Sequence, residues 1–304
     1  MAQATVNFYL PAPGLRHAIS TYYVLRIGGS EEVEDIIHPE WANVRLILSG
    51  RWRVQLMERS IESVPAAAIS GTLERGVVVR GTPGVVVGVG ILPEGWVRLT
   101  AQSADGFADR WRPLTDAFGD SANDLVPAPG AVADGDELFA TLDQYFTDRL
   151  AQGATVSPVV RKAHAALISP DTRSVEIWAA ALSLSTRQLN RLCLQYFGLL
   201  PKRLLRRQRF LRTLAAMRDV EPGAWSGVID ANYVDQPHFI REFHYYLGMS
   251  PSAYFARPQP FMRQAGDRRQ ALLGSPVQGL HAPAPADEAA PAPRRRPRTT
   301  KPPP

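Results

Sequence analysis

The sequence predicts two domains: a mostly β N-terminal domain and an all-α C-terminal domain with two helix-turn-helix units joined by a long helix. Three observations predict this. Up to about residue 118, short runs rich in β-branched residues are punctuated by Gly and Pro. From Val159 to Phe255, apolar residues recur at helical spacing. Charge divides at the same place: residues 1–157 carry 12 Lys and Arg against 19 Asp and Glu, whereas residues 158–262 carry 14 against 7.

The 304 residues, 45% of them hydrophobic, suffice for one large or two ordinary cores. No apolar run approaches the roughly 18 residues of a membrane span. The opening "MAQATVNFYLPAPG" has no basic segment followed by an apolar core, so no secretory signal is expected. Cys193 is the single cysteine, which excludes an intramolecular disulfide framework and a multi-cysteine metal site. The expected location is the cytoplasm, with no membrane partner.

The first domain is set at residues 5–152. In "NVRLILSGRWRVQLME" (Asn43–Glu58) two β-rich runs flank Ser49-Gly50, a hairpin signal. "GVVVRGTPGVVVGVGILP" (Gly76–Pro93) also reads as strands and turns. Its G-x-G leads into Pro and is expected to open no helix, so a dinucleotide loop is set aside. "DELFATLDQYFTDRLAQ" (Asp136–Gln152) places Leu138, Leu142, Tyr145, Phe146 and Leu150 at helical spacing behind acidic first-turn residues, and reads as a closing helix. "GATVSP" is a short linker.

The second domain is set at residues 159–257. In "SVEIWAAALSLSTRQLNRLCLQYFG" (Ser174–Gly198), Ser174 and Ser185 are caps for two helices and Gly198 ends the second. Leu189, Leu192, Cys193 and Phe197 form the apolar stripe of the second helix, so Cys193 reads as a buried hydrophobe, not a sensor thiol. Arg187, Asn190 and Arg191 stand three and four apart on the other face. A tight turn followed by a helix with hydrogen-bonding residues near its start is the helix-turn-helix plan, whose second helix meets base edges in the major groove. "WSGVIDANYVDQPHFIREFHYYLG" (Trp225–Gly248) repeats it, with "WSGVIDAN" as first helix, "NYV" as turn and Asp235 as cap. Phe239, Phe243, Tyr246 and Leu247 face inward, leaving Gln236, His238, Ile240, Arg241 and His244 outside. "PKRLLRRQRFLRTLAAM" (Pro201–Met217) is the connecting helix, carrying more arginines than packing requires.

These residues resemble a known family. "STRQLNRLCLQYFGLLPKRLLRRQRF" and "YVDQPHFIREFHYYLGMSPSAYF" look like the DNA-binding domain of AraC/XylS-type transcriptional regulators, over about a third of the chain. The resemblance implies base-reading roles for Arg187, Asn190 and Arg191 in the first unit and Gln236, His238, Ile240 and Arg241 in the second. Phosphate-contact candidates are Thr186, Lys202, Arg203, Arg206 and His244. Asn232 stands where the family usually has glycine, and Pro237 where it usually has a polar residue. More weakly, "HPEWANVRLILSG", "GVVVGVGILPEGW" and "DRWRPLTDAFG" resemble a β-rich domain found on some members, which implies a cupin-like domain that senses a small molecule or dimerises.

The expected function is a bacterial-type, sequence-specific transcription factor without a cofactor. Its expected partners are double-stranded DNA, a small-molecule effector or a second copy of the chain, and RNA polymerase if it activates. Trp41, Trp52 and Trp96 are candidates for an effector pocket, weighed against core packing. The rival reading is a cupin-type metalloenzyme with a helical accessory domain. For that, His38, Glu40 and His17 are too few ligands. Residues 263–304, rich in Ala, Pro and Arg and ending near "RRRPR", are expected to be a disordered tail.

Overall fold

A computed structural model describes residues 3–56, 59–125, 136–230, 233 and 235–283. The N-terminal part contains β1 (Gln3–Tyr9), β2 (Ile19–Gly28), β3 (Val33–Ile37), β4 (Asn43–Ile47), β5 (Trp52–Leu56), β6 (Glu62–Ser63), β7 (Ala67–Ser70), β8 (Val77–Gly81), β9 (Gly84–Ile91) and β10 (Trp111–Pro113). They form a six-stranded sheet, ordered β1-β2-β9-β4-β7-β10, and a four-stranded sheet, ordered β3-β8-β5-β6. Every pairing is antiparallel.

The two-residue period of a strand lets the larger sheet serve two cores. Along β2, Tyr22 and Val24 face a helical layer, whereas Tyr23, Leu25 and Ile27 face the smaller sheet. The helical layer is α1 (Pro93–Thr100), α2 (Thr115–Phe118) and α3 (Asp136–Gln152). Trp96, Phe118, Leu142 and Phe146 are buried there. The glycines of the valine-rich run have a packing role: a Cβ at Gly88 would fall 1.9 Å from the Tyr23 ring.

Three expectations need correction. Ser49-Gly50 does not close a hairpin, because β4 pairs with β7 and β9 while β5 pairs with β6 and β8. It is a corner where the chain changes sheets. A second corner, between β8 and β9, packs on the first. Thr82 N donates to Arg51 O at 3.0 Å, and Gly50 takes φ +81° where a Cβ would meet Pro83 O at 2.7 Å. Turn residues mark a reversal; the sheet that receives the next strand is set by packing. Second, "GVGILPEG" does open a helix: Pro93 is the first residue of α1, where its missing N–H leaves no intrahelical bond unmade.

Third, residues 263–283 are not a disordered tail. The C-terminal part contains α4 (Pro158–Ile168), α5 (Val175–Ala181), α6 (Thr186–Leu192), α7 (Pro201–Met217), α8 (Gln236–Leu247), α9 (Pro251–Ala256) and α10 (Met262–Leu273). α10 returns to the β-sheets. The Asp35 carboxylate accepts from Phe261 N (3.1 Å) and Met262 N (2.9 Å), and Gln264 Oε1 accepts from Val6 N. Phe261, Met262 and Ala265 join the core between the sheets. Beyond α10, Gln278 Oε1 accepts from Trp41 N at 2.6 Å. A short apolar stripe diluted by Arg and Gln has little periodicity of its own; the sheets supply its partner. The "RRRPR" run lies outside the described residues.

The two parts share buried contacts. Gly76 N donates to Tyr246 O at 2.7 Å. Arg161 holds Glu94 through two 2.8 Å bonds. Ile36 lies in the core built mainly by α7 and α8.

Candidate nucleic-acid interface

The first unit is built from local signals. Ser174 Oγ accepts from Ile177 N at 3.2 Å and starts α5, whose Trp178 is fully buried and donates through Nε1 to Ala163 O at 3.1 Å. The turn places Ser183 at φ +54°. α6 begins with a capping box: Gln188 N donates to Ser185 Oγ (3.2 Å) and Ser185 N to Gln188 Oε1 (2.8 Å). Gln188 is therefore occupied at the cap. Leu189, Cys193 and Phe197 are buried, and burial in this apolar setting pushes the Cys193 thiol up. Thr186, Arg187, Asn190 and Arg191 are exposed. The last turn, Cys193–Phe197, is a π-helix, and Gly198 ends it at φ +79°.

In the second unit the Asp235 carboxylate accepts from His238 N at 2.6 Å, and Pro237 sits in the first turn of α8. Phe239, Phe243, Tyr246 and Leu247 are buried. Gln236, Ile240, Arg241 and His244 are exposed, whereas His238 is half-buried against the Tyr233 ring, its Nε2 3.8 Å from Glu242. Of the expected first helix over "WSGVIDAN", the described residues 225–230 are not α-helical. Pro222–Gly227 is a 3₁₀ helix, consistent with two glycines within six residues. Asn232 and Val234 of the expected turn lie outside the described residues.

α7 joins the units and concentrates charge. Arg206 and Arg209 both engage Glu242 Oε1, the latter at 3.1 Å, on a carboxylate that is 2% exposed. Arg203 pairs with Glu74 of the β domain at 3.0 Å, and Arg212 approaches Asp230 at 3.7 Å. Arg206 and Arg203, both phosphate candidates, are therefore held by carboxylates here, while Lys202 is exposed. A cleft between α5 and α7 is lined by Arg173, Lys202, Arg206, Arg209 and Arg212, with Glu176 its only acid among the described lining. Arg173 was missed as a candidate; Arg209 and Arg212 belong to the surplus arginines of the connecting helix, which recur every third residue from 203 to 212.

The three tryptophans do not meet in one pocket. Trp41 packs under the C-terminal domain, edge-on to His164 and Phe197. Trp96 is edge-on to Phe107 in the helical layer, and Trp52 lies between the sheets against Phe261. His38 Nε2 is 2.6 Å from Tyr254 Oη, and Glu40 pairs with Arg45. Both are engaged by protein groups, and no group of three or more metal-ligating side chains occurs among the described residues. No described helix is long and apolar enough to cross a membrane.

Two helices that each begin at a side-chain cap, bury one stripe and expose polar residues along the other define the class: a helix-turn-helix protein. The family model described as "Helix-turn-helix domain" matches residues 178–257, so this part of the chain carries a helix-turn-helix domain. ToxT from Vibrio cholerae is 11% identical, covering 83% of this chain and 97% of that one, at a TM-score of 0.41. The ToxT structure from Vibrio cholerae strain SCE256 with bound unsaturated fatty acid is also 11% identical, covering 83% and 94%, at 0.39. The AraC-like transcriptional activator CuxR is 17% identical, covering 70% and 81%, at 0.31. No curated protein matches the chain.

Proposed function

We propose that this chain regulates transcription by reading two adjacent major-groove segments of double-stranded DNA with the N-terminal ends of α6 and α8. The observation that carries the reading is the shared exposure of Arg187, Asn190 and Arg191 on α6 and of Gln236, Ile240 and Arg241 on α8, each set backed by a buried apolar stripe. Arginine suits guanine, Asn and Gln suit adenine, and Ile240 suits a thymine methyl. The basic cleft along α7 supports phosphate contact between the two segments. The β domain senses a small molecule or brings two copies together, and RNA polymerase is a partner if the outcome is activation.

Selection of duplexes from a random library at physiological salt tests this. The expected product is a site with two elements about one helical turn apart, roughly 34 Å. Bulk, salt-sensitive retention with no enriched sequence, with and without a metabolite panel, would sink the double-reader proposal.

A further inference from the structure

Where α10 closes over the two sheets it leaves a narrow, partly open cavity. The wall is apolar, with Phe8, Leu25, Trp52, Val79 and Met262 among its side chains. Three charged groups line it: Glu40, Arg45 and Arg269. Glu40 and Arg45 form a buried ion pair, and Arg45 also donates to Ser70 Oγ at 2.9 Å. Their charges cancel.

Arg269 is different. It projects from α10 and is only 7% exposed. Among the described residues it has no hydrogen bond or ion pair, and its Nε is buried without a partner. Glu40 attracts it through space but is held by Arg45. The guanidinium carbon lies 4.7 Å from the centroid of the Phe8 ring. That contact replaces only part of the hydration a buried cation loses. A guanidinium does not give up its proton in proteins, so the chamber carries one uncompensated positive charge in an apolar wall. Such a charge is costly until an anion meets it, and the planar fork fits a carboxylate through two parallel bonds.

We infer that the cavity between the sheets and α10 binds an apolar monocarboxylate, its headgroup on Arg269 and its hydrocarbon body against Trp52 and Met262. The inference rests on the sensing reading of the β domain and gives that reading a ligand class. It also gives α10 a purpose: the helix that follows the DNA-binding domain carries the group that recognises the ligand.

The test uses the full chain. Octanoate and phenylacetate are titrated against octanamide and phenylacetamide, read by tryptophan fluorescence and calorimetry, with Arg269→Met and Arg269→Lys alongside. The carboxylates are expected to bind at least tenfold more tightly than the amides. Arg269→Met is expected to abolish that preference and, without ligand, to raise the melting temperature by removing an unpaired charge. Arg269→Lys keeps a reduced preference. Amides binding as well as carboxylates would overturn the anion seat while leaving a sensing cavity intact. Failure of both carboxylates to bind, or a melting temperature lowered by Arg269→Met, would also overturn the assignment. Neither result touches DNA selection, which is measured separately.

Discussion

Arg207 lies over the Trp41 ring, its guanidinium carbon 3.9 Å from the centroid, and its Nη1 donates to Glu40 O at 3.2 Å and Leu73 O at 3.0 Å. One fully buried side chain from α7 thus satisfies two carbonyls of the β domain and covers an indole. Arg207→Ala takes this donor from Leu73 O and the second of two donors from Glu40 O, which keeps Leu73 N at 2.9 Å, and opens a void. The expected loss is about 2–4 kcal/mol of unfolding free energy in urea melts. Arg207→Lys keeps the charge without the fork and recovers only part. A change below about 0.5 kcal/mol for the alanine variant, the range of ordinary surface substitutions, would show that the contact does not hold the junction.

Arg187 on α6 and Arg241 on α8 are exposed and have no partner among the described residues. Alanine at either is expected to relax base preference at one position of the selected site, by about 1–3 kcal/mol there. Competition binding against single-base variants of that site measures it. Equal weakening on every duplex would assign the arginine to phosphate instead.

Lys202 is a cleaner phosphate probe than Arg206, because Glu242 already holds Arg206 and its removal would disturb the contact between α7 and α8. Lys202→Ala is expected to weaken all sequences evenly and to reduce the slope of log affinity against log salt by about 1. An unchanged slope would place Lys202 away from the backbone.

His164 on α4 is enclosed by Trp41 and Phe197, and burial, with Arg207 adding to it, pulls its imidazole down to about 3. Unfolded, it titrates near pH 6.5. Between these values the unfolded chain binds the proton and the folded chain does not, so stability falls as pH drops. His38 and His281, also held near 3, act in the same direction. The melting temperature is therefore expected to fall between about pH 6.5 and pH 4, and His164→Leu to flatten the dependence by about 1 kcal/mol per pH unit. An identical profile for the variant would mean that the imidazole titrates normally in the folded state.

The helix-turn-helix region was legible because its signals are local. Ser174, Ser185 and Asp235 each bond an amide three residues on, and Gly198 and Gly248 each take the positive φ that ends a helix. The order of a mostly β part followed by an all-α part also stands. Over its described residues the first element of the second unit did not form an α-helix, consistent with Gly227 inside it.

By itself the sequence determined where α5 to α8 begin, which face of α6 and α8 is apolar, and that the C-terminal domain is basic. These depend on contacts within about four residues. Only the tertiary structure decided that the chain changes sheets at Gly50, that α10 folds back onto Asp35, which arginines meet carboxylates, and that Arg269 stays buried without one. Those outcomes depend on groups far apart in sequence, such as Arg203 with Glu74 or Met262 with Asp35. A residue's charge is written in the sequence, but its partner and its hydration are set by what the fold packs against it.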